Sequence, residues 1–345
     1  MIKEAIKKVV SGQHLAEEEA GKVMEQIMEG EASPAQIASL ITALSLKGET
    51  VNEITGFARV MRKKAAPIVS NHPILVDTCG TGGDCSGTFN ISTTAAFVVA
   101  GAGVPVAKHG NRSVSSSCGS ADVLEELGIR VDLDRSALEE CLNKVGMAFL
   151  FAPLLHHSMR HAAGPRREIG IRTVFNILGP LTNPAGARAQ VLGVYSPPLT
   201  EVLARVLARL GSKRAFVVYG AGGIDEISLE GSSVLCEIRE GSVRKGTLNP
   251  KRFGFDYAPN SALKGGTPKE NAAITRYVLG GEKGPRRDVV VLNAALGLVA
   301  GGKAGNVAEG VELAAASIDS GSALAKLNEL VEFTGRLAPR KASSQ

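Results

Sequence analysis

The chain has no tryptophan, and aromatic residues make up only 4% of its 345 residues. So few rings leave nothing to build the stacking platform on which nucleic-acid bases are held. The formal net charge of +5 is mild, short of the strongly basic face that a nucleic-acid partner calls for. No apolar run approaches the ~20 residues of a membrane-spanning helix, and Met1-Ile2-Lys3-Glu4 is not expected to open a secretory signal. The five cysteines are odd in number and widely spaced, which argues for a reducing compartment and against a disulfide framework. Cys79 and Cys85 flank a glycine-rich stretch, but without His or Cys neighbours they make a poor zinc site. No internal repeat and no long linker interrupt the chain.

Glycine, by contrast, is placed with purpose. Gly80-Thr81-Gly82-Gly83-Asp84 directly follows Ile74-Leu75-Val76-Asp77-Thr78, which has the makeup of a buried strand. A strand opening into a glycine turn and then a helix, here starting near Ser92, is a common way to hold phosphate. A plain tight turn would read the same. No Gly-Lys-Ser/Thr follows, so the loop is not a P-loop, and the dinucleotide-binding glycine spacing is not kept. The ligand expected here is phosphorylated and is not a nucleotide held in either familiar way.

Two further segments add charge. After a strand expected over Val104–Ala107 comes Lys108-His109-Gly110-Asn111-Arg112-Ser113-Val114-Ser115-Ser116-Ser117, whose cations and hydroxyls suit a polyanion better than a solvated connector. After the strand Ala215–Tyr219 comes Gly220-Ala221-Gly222-Gly223-Ile224-Asp225-Glu226. Paired carboxylates on a glycine loop suit Mg²⁺, a hard cation that shares its shell with waters and substrate phosphates. Two solvated turn acids are the plainer alternative.

The first ~65 residues show helical spacing and no strand signal. Ser33-Pro34 caps one helix that Gly48 ends, and Thr50 with Glu53 forms a capping box for the next. From Ile74 strands alternate with helices, Ser233–Ile238 and Ser242–Arg244 read as an antiparallel hairpin, and helices return after Lys269. The expected architecture is α/β: a small N-terminal helical domain plus a larger α/β domain with a mostly parallel central sheet and C-terminal helices. Ile37, Leu40, Ile41, Leu44 and Leu46 present more apolar surface than one helix face needs, which marks a subunit interface.

Several long motifs, in order, resemble one family. They are the glycine loop, Asn90-Ile91-Ser92-Thr93, Lys108-His109-Gly110-Asn111-Arg112, Arg166-Arg167-Glu168-Ile169-Gly170, the stretch Arg172–Pro184 and Asp225-Glu226. Together they resemble the anthranilate phosphoribosyltransferases over nearly the whole chain. The pyrimidine nucleoside phosphorylases share the implied fold but carry Lys-His-Ser where this chain has Lys108-His109-Gly110-Asn111. The resemblance implies a cytoplasmic homodimer joined through the helical domains. It also implies transfer of phosphoribose from phosphoribosyl pyrophosphate to the amine of anthranilate, in tryptophan biosynthesis. It divides the chain into a helical domain over 1–70, on which part of about 164–188 packs, a phosphoribosyl pyrophosphate-binding α/β domain over 71–337, and a disordered tail over 338–345. Hinges are expected near Pro67–Pro73 and Gly164–Arg188, with the substrates in the cleft between the domains.

By the same resemblance, Gly80, Gly83, Asp84, Thr88, Asn90, Ile91, Ser92 and Thr93 hold phosphoribosyl pyrophosphate. Lys108, His109, Gly110, Asn111, Arg112, Ser113, Val114, Ser115, Ser116 and Ser120 complete its pocket. Ser92, Asp225 and Glu226 match the metal ligands, with two Mg²⁺ per protomer, and Gly80, Asn111 and Arg166 match the anthranilate contacts. No residue acts covalently; Lys108, Asp225 and Glu226 stabilise the leaving group. Arg166-Arg167-Glu168 also reads as a surface salt-bridge cluster. His156, His157 and His161 fall on an expected helix as structural or surface residues, whereas His109 is the candidate for an anthranilate-side contact. A nucleoside phosphorylase, or a nucleic-acid-binding protein of this fold without catalysis, are the alternatives.

Overall fold

The computed structural model of the chain describes residues 1–84, 86–113 and 117–337. Cys85, Val114, Ser115, Ser116 and the tail over 338–345 lie outside the described residues. The N-terminal helices are α1 (Ile2–Val10), α2 (Glu17–Glu29), α3 (Pro34–Lys47) and α4 (Val51–Lys64). Local chemistry sets their ends. Ser33 and Thr50 each accept from the backbone N–H three residues on, and Gln36 and Glu53 return the bond, while Gly48 ends α3.

The sheet has the strand order β3-β2-β1-β4-β5-β6-β7. Its strands are β1 (Val76–Gly80), β2 (Val106–Gly110), β3 (Met147–Phe151), β4 (Ala189–Gly193), β5 (Arg214–Tyr219), β6 (Ser233–Arg239) and β7 (Ser242–Leu248). The first five are parallel, and the hairpin β6–β7 is antiparallel, as its sequence indicates. α5 (Ile91–Gly101) follows β1 and is buried along nearly its whole length, from Thr93 to Ala100. It packs against Pro285–Ala300 and Ser322–Arg336, which is why its sequence is apolar all round and not striped.

Two expectations need correction. β1 and β2 begin about two residues later than the apolar runs indicate, because backbone pairing sets them: β2 matches β3 from Val106↔Met147 to Gly110↔Phe151. Lys108 and His109 therefore lie inside a buried strand, not on a loop. Ile37, Leu40, Ile41 and Leu44 are 0–1% exposed within the chain itself. α3 packs on α1 and on the helix Arg160–Ile169, so the apolar excess is consumed by this chain's own core. Leu46 alone of the five is exposed, at 84%.

Candidate active site

Crossovers from β1 run to β2 and β3 on one side, whereas β4 and β5 lie on the other. A parallel sheet that reverses direction in this way leaves a crevice at the carboxyl ends of the two central strands. Gly80 and Gly193 end β1 and β4 in register. Asp225 lies directly over them. A Cβ on Gly80 would sit 2.3 Å from Asp225 Oδ2, and one on Gly193 would sit 1.4 Å from the Asp225 carbonyl oxygen. A side chain at Gly193 would displace the backbone of Asp225, and one at Gly80 would displace its carboxylate. Gly82 and Gly83 have φ of 65° and 75°, the left-handed region that glycine occupies without strain. The turn they make lets Gly82 N–H donate to Asp225 Oδ2 at 2.9 Å.

Three carboxyl groups converge there. Asp225 N–H donates to Asp84 Oδ2 at 3.3 Å, and Ser92 N–H, in the first turn of α5, donates to Glu226 Oε1 at 3.1 Å. Burial, reinforced by Asp84, pushes Asp225 up to about 7; burial, reinforced by Asp225, pushes Glu226 up to about 8. Each carboxylate is costly to ionise beside the others. Lys108, 2% exposed, is the neighbouring cation: its Nζ donates to the Thr78 carbonyl and lies 3.5 Å from Ser92 Oγ. Burial lowers its pKa, and Asp77 opposes that most strongly.

Hard oxygen donors at Asp225, Glu226 and the Ser92 hydroxyl fit Mg²⁺, which needs few protein ligands when waters and phosphates supply the rest. Among the described residues no group of three or more His, Cys, Asp or Glu is arranged to hold a metal by itself.

The remaining expected residues divide. Thr88 is bridged to Lys264, which pins the far end of the glycine loop. Asn90 uses its amide within the protein, accepting from Asn271 at 3.0 Å and donating to the Cys118 carbonyl at 3.3 Å. Ile91 and Thr93 are buried in α5. Gly110 has no room for a side chain, since a Cβ would lie 2.3 Å from Ser120 Oγ. Ser120 donates to the Asn111 carbonyl at 3.1 Å, and Ser113 N–H donates to Asp122 at 3.1 Å. The Arg112 guanidinium is paired with Glu125 at 2.6 Å and Asp122 at 3.0 Å. Those acids raise its pKa.

On the other side of β2, His109 Nδ1 lies 3.2 Å from the Gly179 carbonyl, which assigns the proton to Nδ1. His156, expected on a helix as a structural or surface residue, is structural. It caps the short helix Ala152–Leu155, is buried, and stands 5.1 Å from His109, centroid to centroid. Burial holds His109 down at about 3 and His156 at about 4, so both rings are neutral. Neither Nε2 has a hydrogen-bond partner among the described residues.

Arg166 sits within the helix Arg160–Ile169, its guanidinium 5.1 Å over the Phe175 ring. Among the described residues neither it, Arg167 nor Glu168 forms an ion pair, so the salt-bridge cluster is not formed. Gly164, where the second hinge is expected to begin, and Pro165 belong to that helix.

Sequence reasoning passed over Asp77, Asn183 and Arg172. Arg172 donates to the Gly83 carbonyl and lies 4.7 Å over Tyr195, while its own carbonyl accepts from Ser45 Oγ of α3 at 3.0 Å. The helical domain thus reaches the glycine loop through one residue. Asp77 carried a signal that was available, a charge inside an otherwise apolar strand.

The neutral histidine pair has a pH consequence. Both folded-state pKa values lie below the ordinary 6.5, so the unfolded chain binds more protons below that pH. The resulting stability is complete above about 6.5 and is lost as pH falls toward 4 and 3. Thermal unfolding followed by circular dichroism should show the melting temperature falling across that window. In His156→Gln the fall should be shallower; an identical slope would reject the assignment.

The comparisons with known proteins agree with this geometry. Residues 3–65 match the model of the helical bundle domain of a glycosyl transferase family, and residues 72–324 match the model of its a/b domain. An anthranilate phosphoribosyltransferase of Pelotomaculum thermopropionicum is 79% identical over 343 residues, covering 99% of either chain. The crystal structure of the enzyme of that name from Thermus thermophilus superposes with a TM-score of 0.91 at 48% identity, over 96% of this chain and 99% of that one. The Saccharomyces cerevisiae enzyme, solved in complex with phosphoribosyl pyrophosphate and magnesium, gives a TM-score of 0.88 at 29% identity, over 97% and 98%. With two domains matched in order and this identity along its whole length, the chain belongs to the anthranilate phosphoribosyltransferase family.

Proposed function

We infer that the protein transfers the 5-phosphoribosyl group of phosphoribosyl pyrophosphate to the amine of anthranilate, in tryptophan biosynthesis, releasing pyrophosphate. The observation that carries this reading is the meeting of Asp225, Glu226, Lys108 and the first turn of α5 at the switch point of the sheet. Anthranilate is a weak aromatic amine, so the chief task is to let the C1–O bond to pyrophosphate break as the C1–N bond forms. Two Mg²⁺ ions, held by Ser92, Asp225 and Glu226, would neutralise charge on the departing pyrophosphate. Lys108, fixed by Thr78 and Ser92, adds a positioned positive charge where negative charge grows. Gly80, Gly83, Asp84, Thr88 and the segment 90–93 form the phosphoribosyl pyrophosphate side, with Lys108, His109, Gly110, Asn111, Ser113 and Ser120. Arg112 joins that side only by giving up the ion pairs it makes here.

The anthranilate side is Gly80, Asn111 and Arg166, with His109 the candidate for a further contact there. Arg166 is the group suited to the substrate carboxylate: burial lowers its pKa, and no acid among the described residues pairs with it. A planar guanidinium matches a carboxylate in geometry as well as charge. The domains, 1–70 and 71–337, are taken to close on the substrates about hinges near Pro67–Pro73 and Gly164–Arg188. Two copies are taken to associate through the helical domain, where Leu46 and Val10 remain exposed. A cytoplasmic location suits the free, buried cysteines.

Three measurements test these assignments. The double variant Asp225→Asn/Glu226→Gln should fold normally yet lose most turnover in an anthranilate fluorescence assay; near-normal turnover at ordinary Mg²⁺ would remove both residues from the metal site. Arg166→Ala should raise the KM for anthranilate roughly ten- to hundred-fold, the loss of a charge-assisted contact of about 1.5–3 kcal/mol. The KM for phosphoribosyl pyrophosphate should stay within about two-fold, and a shift there instead would move Arg166 to the phosphate side. Small-angle scattering should return twice the chain mass and a smaller radius of gyration once both substrates are added. A monomer mass refutes the dimer, and an unchanged radius refutes the closure.

A further inference from the structure

Asp77 has no exposed surface and Asn183 only 5%, yet neither belongs to the groups assigned above to a substrate or metal. A carboxylate in the middle of a buried strand is a poor choice for stability, since an apolar residue of similar size avoids its desolvation. Every polar atom of the pair is nonetheless engaged. Asp77 Oδ1 accepts from His109 N–H at 3.2 Å, and Oδ2 accepts from Asn183 Nδ2 at 2.9 Å. Asn183 Nδ2 also donates to the Ala107 carbonyl at 2.8 Å, and its Oδ1 accepts from Ala185 N–H at 2.9 Å. The pair therefore bolts three pieces together: β1, β2 and the segment 179–185.

That segment carries the Gly179 carbonyl on which His109 Nδ1 sits. Where the segment rests decides which ring nitrogen of His109 holds the proton, and so which edge is left as a bare acceptor. That edge is Nε2, which is buried and, like Nε2 of the His156 ring 5.1 Å away centroid to centroid, has no hydrogen-bond partner among the described residues. We propose that Asp77 and Asn183 are a positioning pair that fixes the tautomer of His109, the candidate for an anthranilate-side contact, and so leaves Nε2 as its acceptor. This rests on the phosphoribosyl-transfer reading for its substrate, but the tautomer itself does not. A second tether, Gln190 Nε2 donating to the Pro180 carbonyl at 2.6 Å, holds the same segment, so losing Asn183 should loosen it without releasing it.

The test pairs kinetics with nitrogen-15 NMR of the histidine rings, His109→Gln supplying the assignment. In the unaltered protein His109 should carry its proton on Nδ1; a proton on Nε2 overturns the proposal without any variant. In Asn183→Leu, which keeps volume and removes the bonds, the ring should become a mixture of tautomers. The kcat/KM for anthranilate should fall roughly ten-fold, and the KM for phosphoribosyl pyrophosphate should stay within about two-fold. Asn183→Ser should show the same pattern more weakly and serves if the leucine variant does not fold. An unchanged tautomer with lowered thermal stability means a structural role only, and equal losses toward both substrates mean general loosening; either result overturns the pair. If the unaltered protein transfers no phosphoribose to anthranilate, the functional reading fails while the NMR result still decides the positioning.

Discussion

The Asp225 backbone rests on two strand ends that have no side chains. At Gly193 its carbonyl oxygen lies where a Cβ would have to be, and at Gly80 its carboxylate does much the same. Because both strands end in glycine, the loop after β5 can cross the switch point and deliver Asp225 and Glu226 to the mouth of the sheet. From there Glu226 reaches Ser92 at the start of α5, and Asp225 reaches Gly82. Substituting Gly193 would displace the loop, and substituting Gly80 would displace the Asp225 carboxylate, on which the proposed metal site depends.

The electrostatics follow from that placement. Three carboxyl groups crowd a partly desolvated crevice, and Asp225 and Glu226 rise to about 7 and 8 in consequence. Lys108 offsets part of this, but it is itself buried and leans on Asp77. Such a site is held at a disadvantage until cations arrive, which suits a crevice that must bind a polyanion and magnesium together. His109 and His156 contrast with it a short way off: kept neutral by burial, they offer lone pairs and not charge.

The helical domain is more than an attachment. Its core continues through Val174–Leu181 into the face of the sheet that carries Leu192 and Val217. Through Ser45 and Arg172 it also touches the glycine loop. The same stretch of chain thus serves packing on one side and the crevice on the other, which explains why Asn183 and Arg172 escape a reading that looks for charge clusters in loops.

What the sequence by itself determined is local. Helix caps at Ser33 and Thr50, the terminating Gly48, the β6–β7 hairpin and the glycine turn at Gly82-Gly83 are all visible because backbone torsion and capping act within a few residues. The order of motifs was also enough to indicate the family, since matches strung along nearly the whole chain are far more specific than any one of them. What only the tertiary structure decided is pairing. Strand register placed Lys108 and His109 inside β2, helix packing consumed Leu40 and Leu44, and Glu125 took the charge of Arg112. It also set His156 against His109 and Asn183 against Asp77, across 106 residues of chain in the second case. Contacts of that span depend on how whole elements stack, and no spacing along the chain encodes them.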